Sequence, residues 1–303
     1  MSQEVKKSFY TTVDHPFDIK NVEDVTCNFC LSADYHSIGT ELDYDIRQCS
    51  SCKLVYINPQ PTADEIPGFY DNMYLDDSPE EVMARGLGYT EKQLRRIVRR
   101  RKPGGGKFLD IGCGFGAVLA EMSRFSEWEL SGVEIGETSV KYTRKRVPSA
   151  TIYEGTVDEV DFDEGSFDCI TMITVLEHVK DPGGVLQRIT RWLAPGGLLI
   201  IQTPHVEPFI KLRRYVSSVP IYFEAPRHLF DFSPRSLKMY MNRLGCQDLK
   251  IDIAVPYASG GFVGEAVIWG IKSVGYVLHW LSFGRYIFPF SGGLVAHGIK
   301  RDA

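Results

Sequence analysis

Lys107-Phe108-Leu109-Asp110-Ile111-Gly112-Cys113-Gly114-Phe115-Gly116 reads as a buried strand that breaks into a glycine turn, with a carboxylate at the strand's end. Phe108, Leu109 and Ile111 suit burial on a parallel sheet, whose strands run as near-continuous apolar stretches. Gly112, Gly114 and Gly116 remove the side chains that would hold a ligand away from the main chain. Downstream, Ala117, Leu119, Ala120 and the stretch from Met122 to Phe125 suit a helix packed on a sheet, and Glu129 to Ile135 reads as a second strand ending on the acid Glu134. A carboxylate at the end of a second parallel strand accepts hydrogen bonds from a ribose diol in any adenosine-bearing ligand. Gly112-x-Gly114-x-x-Ala117 with Glu134 some twenty residues later also satisfies the dinucleotide pattern, so this segment leaves hydride and methyl chemistry open.

Three later features decide. Ser166 to Met172 is a buried strand leading directly into Ile173-Thr174-Val175-Leu176-Glu177-His178-Val179, and Leu193-Ala194-Pro195-Gly196-Gly197 is a turn feeding the buried strand from Leu198 to Ile201. In this order and spacing the chain resembles the class I S-adenosylmethionine-dependent methyltransferases, and within them the branch of quinone and sugar methyltransferases. The resemblance runs from about Gly104 to the end of the chain. It implies an α/β, Rossmann-like, seven-stranded and mostly parallel sheet with a reversed last strand pair.

The resemblance also implies roles. The backbone of Gly112, Cys113, Gly114 and Gly116 would pass the methionine part of S-adenosylmethionine, Asp110 would orient its amino group or a nearby water, and Glu134 with Ile135 would hold the ribose. Thr156, Val157 and Asp158 sit where the family contacts adenine; Thr156 replaces the usual acidic residue after the glycine, so either its hydroxyl, the Val157 amide or the Asp158 carboxylate would serve. Ile173 and Thr174 would line the far side of the cofactor.

A sulfonium methyl is already activated, so transfer needs chiefly an aligned nucleophile in a dry pocket. A hydroxyl acceptor also needs a base, and histidine suits that work near neutrality. His178, His205 and His228 are the candidates, all placed after strands four and five, with Glu177 and Glu224 as weaker ones.

Cys27-Asn28-Phe29-Cys30 and Cys49-Ser50-Ser51-Cys52 form two Cys-x-x-Cys knuckles eighteen residues apart, the spacing of a zinc ribbon. Cys27, Cys30, Cys49 and Cys52 would bind one structural Zn2+ with no open position, holding a segment too small to bury its own core. The chain starts Met1-Ser2-Gln3-Glu4-Val5-Lys6-Lys7 without an apolar signal segment, so a cytoplasmic, reducing location is expected over disulfides. A ribbon followed by Asn58-Pro59-Gln60-Pro61, then Phe69, Tyr70 and Tyr74, resembles zinc-bearing methyltransferases that act on sugars and polysaccharides.

Residues 1–20 read as a flexible N-terminus, 21–60 as the ribbon, 61–103 as a helical linker, and 104–303 as the methyltransferase domain with insertions at 205–234 and 256–290. The linker carries seven basic residues in twelve, from Glu91 to Lys102, with Leu87, Leu94, Ile97 and Val98 on the opposite helical face. Such a patch suits RNA, but the net charge of -5 argues against nucleic acid, and the arginines suit a nucleotide sugar equally well. An RNA-modifying methyltransferase and a non-catalytic cofactor-binding protein stand as alternatives to an enzyme acting on a small-molecule or sugar acceptor. The segment 266–290 has no apolar run long enough to span a bilayer, leaving a lid, a homodimer contact or peripheral membrane contact.

Overall fold

The computed structural model describes residues 19–66, 90–213, 215, 223–254, 263–282, 287 and 292–301. The start of the N-terminal stretch, Phe69, Tyr70, Tyr74, Leu87, Arg214 and Tyr222 lie outside the described residues. At the amino end, β1 (Val22–Glu23) pairs with β5 (Gln60–Pro61), and β2 (Tyr35–Glu41), β3 (Tyr44–Cys49) and β4 (Val55–Asn58) form an antiparallel meander. β4 and β5 are interrupted at Pro59, which cannot donate to a ladder, so the chain leaving the second knuckle forms two short strands.

The basic helix α1 (Thr90–Arg101) buries Leu94, Ile97 and Val98 and turns most of its arginines outward, as an amphipathic pattern requires. Then come β6 (Gly106–Ile111), α2 (Ala117–Met122), β7 (Trp128–Glu134), α3 (Glu137–Arg146), β8 (Thr151–Glu154), β9 (Phe167–Ile173), α4 (Pro182–Trp192) and β10 (Leu193–His205). The insertion after β10 supplies α5 (Glu207–Arg213) and β11 (Phe230–Asp231), followed by α6 (Pro234–Arg243), β12 (Cys246–Ile253), α7 (Val263–Leu281) and β13 (Gly292–Lys300).

The central sheet has the order β12-β13-β10-β9-β6-β7-β8. β13 runs antiparallel to both β10 and β12, which puts the reversal at the end of the chain and leaves the other strands parallel. Side chains alternate across this sheet. Leu109, Ile111, Ile170, Met172, Leu199 and Ile201 join one buried cluster, while Phe108, Cys169, Leu198 and Ile200 join a second with Leu94, Val98, Leu119 and Val140.

The first cluster includes Cys27, Ile46, Tyr56 and Ile57, so the cysteine-bearing segment shares its core with the larger domain. β11 adds a fourth strand to the meander, pairing Phe230 with Tyr56 and Asp231 with Val55. The hydroxyl of Tyr240 donates to the Asn28 side chain at 3.0 Å, and Arg243 donates to the Phe29 carbonyl at 2.9 Å while lying over the Phe29 ring.

At the other edge, α7 presents Val274, Val277, Leu278, Trp280 and Leu281 outward. Among the described residues no helix is long and apolar enough to cross a membrane. His279 of α7 and His297 of β13 each place Nε2 on the Asp252 carboxylate, at 3.4 and 3.2 Å.

Candidate active site

The carboxyl ends of β6, β7, β9 and β10 lie along one edge of the sheet, where ligands bind in open α/β folds. Gly112, Gly114 and Gly116 all have left-handed φ, at 67°, 49° and 71°. Their surroundings differ. A Cβ on Gly112 would lie 2.4 Å from the Val175 side chain, and one on Gly116 would lie 2.7 Å from that of Thr143, whereas a Cβ on Gly114 meets nothing within 4 Å. Gly112 and Gly116 are thus demanded by packing, and Gly114 opens onto free space. The Thr143 hydroxyl donates to the Gly114 carbonyl at 2.7 Å and Arg146 donates to the Phe115 carbonyl at 2.9 Å, so α3 fixes the loop from behind.

Asp110 and Glu134 face this loop, both with under a tenth of their surface exposed. Burial raises the Asp110 carboxyl to about 7, against the pull of the Thr171 hydroxyl that donates to it at 2.6 Å. Glu134 accepts the Gly114 N–H at 2.8 Å and the Gly136 N–H at 2.9 Å, and burial moves its carboxyl upward despite these bonds. Each of its oxygens keeps a second lone pair, the capacity a ribose diol needs. An open cradle at a glycine beside two buried carboxylates fits a cationic nucleoside such as S-adenosylmethionine.

At the third strand, Val157 is buried, Asp158 is exposed with Arg188 3.8 Å from it, and the Thr156 N–H donates to Glu159 at 2.7 Å. The Thr156 amide is therefore already used within its own turn. Ile135 follows Glu134 directly, Ile173 is half-buried at the end of β9, and Thr174 is exposed with a φ of 52°, a conformation that costs a β-branched residue on the order of 1 kcal/mol or more.

The three histidines fall into two groups. His178 and His228 stand with ring centroids 4.7 Å apart. Each directs Nδ1 at a backbone carbonyl, His178 at Arg227 (3.0 Å) and His228 at Phe223 (2.8 Å). A carbonyl only accepts, so Nδ1 carries the proton in neutral His228 and Nε2 the lone pair, while His178 makes backbone bonds to both Arg227 and Thr174. Burial lowers His178 to about 4, helped by Arg227; burial, His178 and Arg227 hold His228 well below the usual range. Glu177 lies buried beside them with neither carboxylate oxygen hydrogen-bonded, and burial raises it to about 8. Glu224 forms an ion pair with Arg227 and lies 3.7 Å from His228 Nε2.

His205, at the tip of β10, is separate from this pair. Its Nδ1 lies 3.3 Å from Asp231, whose carboxylate also accepts the N–H groups of Val206 (2.7 Å) and Glu207 (3.1 Å). Asp231, Thr171 and Thr143 are functional neighbours that sequence reasoning missed. Asp231 follows the Arg227-His228-Leu229-Phe230 run directly, which was the available signal.

The four knuckle sulfurs lie within 4.8 Å of one another, with Cys27 and Cys52 at 3.3 Å and Cys30 and Cys49 at 3.5 Å. A tetrahedral ion with bonds of about 2.3 Å sets its sulfurs about 3.8 Å apart, so the donor set fits Zn2+ with small adjustment. Burial pushes the Cys49 thiol up, but the N–H groups of Cys52 and Ser51 and the neighbouring thiols bring it down to about 7. Within the basic helix, Arg95 pairs with Glu121 at 3.1 Å, Arg101 with Asp248 at 2.7 Å and Lys102 with Asp168 at 3.5 Å, so part of that charge serves the fold.

Residues 87–251 match the family model described as a methyltransferase domain, and the chain belongs to that family. It is an S-adenosylmethionine-dependent methyltransferase of the class I architecture. Among curated relatives, the ubiquinone biosynthesis O-methyltransferase of Xanthomonas axonopodis pv. citri is 28% identical over 164 residues, covering 51% of this chain and 68% of that protein. Its counterpart in Pseudomonas aeruginosa is 31% identical over 141 residues, covering 45% of this chain and 60% of that protein. Among solved structures, Haemonchus contortus phosphoethanolamine N-methyltransferase 2 in complex with S-adenosyl-L-methionine superimposes with a TM-score of 0.55 at 19% identity, over 82% of this chain and 63% of that one. The putative methyltransferase complexed with the Haloferax volcanii Trm112 activator gives 0.53 at 14% identity, over 78% and 98%. At these identities the structures speak to the fold.

Proposed function

We propose that this protein transfers a methyl group from S-adenosylmethionine to a hydroxyl oxygen of a small molecule of the quinone-precursor or sugar kind, with His205 as the base. The observation that carries this reading is the His205–Asp231 pair at the end of β10. When bound, S-adenosylmethionine supplies an activated sulfonium methyl group. Asp110, Glu134 and the open backbone at Gly114 bind and orient it, and Thr156, Val157, Asp158, Ile173 and Thr174 form the rest of its surround. Asp231, pinned by two N–H groups, keeps the proton of neutral His205 on Nδ1 and leaves the lone pair on Nε2. His205 Nε2 takes the acceptor's hydroxyl proton, and Asp231 stabilises the imidazolium that results.

His178 and His228, held neutral by burial, line the turn after β9 beside this site. The relatives named for ubiquinone biosynthesis O-methylation support oxygen as the target. The ion pairs that tie Arg95, Arg101 and Lys102 to acids elsewhere in the fold favour a small acceptor over RNA. Cys27, Cys30, Cys49 and Cys52 hold a structural Zn2+ in this reading. Residues 21–60 then form the ribbon, 61–103 the linker and 104–303 the catalytic domain.

The test is incubation with tritiated S-adenosylmethionine and a panel of catechols, nucleotide sugars and RNA. Label enters a small-molecule hydroxyl, and His205→Ala lowers kcat by about 100-fold or more while cofactor affinity stays constant. Wild-type rates in His205→Ala and Asp231→Asn, or label in RNA alone, overturn it.

A further inference from the structure

The segment from Phe223 to Leu229 has no regular secondary structure, yet it is buried: Phe223, Ala225, His228 and Leu229 each expose less than a tenth of their surface. Buried amides in an irregular segment need partners from elsewhere. Two of them find the same side chain. Glu41, the last residue of β2 in the cysteine-bearing meander, accepts the Phe223 N–H on Oε2 and the Ala225 N–H on Oε1, both at 2.9 Å. This carboxylate clamps the residues on either side of Glu224, which adopts a φ of 66°.

The clamp reaches the histidines. Phe223, whose N–H is held by Glu41, offers its carbonyl to His228 Nδ1, and Arg227 in the same turn offers its carbonyl to His178 Nδ1. From the opposite side, the Leu229 N–H donates to the Glu177 carbonyl at 2.8 Å and the Leu229 carbonyl accepts from Ile57 at 3.0 Å. The turn is thus gripped between the meander and the Leu176-Glu177-His178 turn after β9.

We propose that Glu41 is a positioning residue of the acceptor side of the site: through Phe223 it sets the tautomer of His228, keeping the proton on Nδ1 and the lone pair on Nε2, beside Glu224. Calling this side the acceptor side rests on the O-methylation reading; the placement of the ring by Glu41 does not. The carboxylate's two oxygens match the two N–H groups, a fit that neither Gln nor Asp reproduces. A residue of the cysteine-bearing meander thereby governs a ring in the insertion after β10.

The groups facing His228 are His178 and Glu177 from the turn after β9 and Arg227 and Glu224 from its own turn. They persist in a Glu41 variant, so a change in the ring reports the lost clamp. The experiment uses the full chain labelled with 15N, the histidine signals being assigned with a His228→Gln variant. In the wild type His228 shows the Nδ1–H tautomer and stays neutral through the weakly acidic range. In Glu41→Ala the ring moves toward the Nε2–H form and titrates closer to the ordinary value of about 6.5. Amide exchange over 223–229 quickens by about 10-fold or more. The His205 signals, fixed by Asp231, and the affinity for S-adenosylhomocysteine stay within about twofold, a selectivity that general loosening does not produce.

Glu41→Gln keeps the volume and one accepting oxygen and shows the same changes at smaller size; should Glu41→Ala fail to fold, this variant decides alone. An unchanged His228 tautomer and titration in a folded Glu41 variant overturns the proposal. Because the ring is read without turnover, that failure is distinct from failure of the O-methylation reading, which shows instead as absent label in the small-molecule panel.

Discussion

Gly114→Ala and Gly112→Ala separate two reasons for a glycine in the same loop. Both residues have left-handed φ, so alanine at either costs about 1–2 kcal/mol of backbone strain. For Gly114 that is the whole cost, because its added methyl meets nothing within 4 Å. For Gly112 the methyl would stand 2.4 Å from Val175 Cγ2, and relieving that overlap adds about 1–3 kcal/mol. In a domain of this size 1 kcal/mol shifts Tm by about 2–4 °C, so calorimetry should find Gly114→Ala lowered by roughly 2–8 °C and Gly112→Ala by about twice that. Cofactor affinity should run in the opposite order. If the space at Gly114 is where S-adenosylmethionine meets the main chain, the new methyl displaces it, and titration calorimetry should show Gly114→Ala weakened by about 10-fold or more, near 1.4 kcal/mol. Gly112→Ala, once folded, should lose less. Wild-type affinity in a folded Gly114→Ala refutes the placement of the cofactor against this loop.

Two further outcomes follow from the buried groups and the thiolates. Burial raises Glu177 to about 8 in the folded chain, so the native state holds a proton that the unfolded state releases, and the stability this confers is full below the unfolded pKa and lost as pH rises through about 8. Glu177→Gln, which mimics the protonated acid, should raise Tm much more at pH 8.5 than at pH 5.5, the loss in wild type growing by about 1.4 kcal/mol per pH unit between them; equal effects at both show that the carboxyl ionises as in water. Elemental analysis should find one zinc per chain, and strong chelation or Cys27→Ser should lower Tm by at least ~10 °C, since structural zinc contributes on the order of 10 kcal/mol in isolated fingers. Metal-free protein that melts unchanged removes zinc from the proposal.

The central sheet was legible because its strands are local apolar runs punctuated by glycine turns. Asp110, Glu134 and the glycines could be placed on it by counting residues along the chain. The cysteines were legible for the same reason, since each knuckle closes within four residues. β11 was not: it is two residues long, and its partner Tyr56 lies more than 170 residues earlier, so no periodicity marks it. The start of β12 at Cys246 was no easier to see, because an irregularity between Gln247 and Lys250 interrupts the alternation while Cys246 still pairs with Lys300. The histidines could be nominated from composition and position, but their tautomers depend on which carbonyls a distant turn presents. Glu41 carried no signal, because a carboxylate at the end of a hairpin strand is indistinguishable from a solvated one until the Phe223 and Ala225 amides are seen against it.

That distribution has a physical cause. The cofactor half of the site is built from one stretch of chain, β6 through β8, in which strand, loop and helix follow each other directly, so sequence distance and spatial distance agree. The acceptor half is built from three separated stretches: the meander, the turn after β9 and the insertion after β10. None can bury its own surface. The meander borrows Leu109, Ile111 and their neighbours for its core, and the insertion borrows β4 for a strand and Glu41 for its amides. Loosening any one stretch therefore loosens the other two, while the loop at Gly114 is backed by Thr143 and Arg146 and meets the turn after β9 where Val175 packs against Gly112. Under the proposed function, cofactor binding and acceptor binding fall to two parts of the protein stabilised largely by different contacts. Substitutions in the meander are expected to change which molecule is methylated before they change whether S-adenosylmethionine binds.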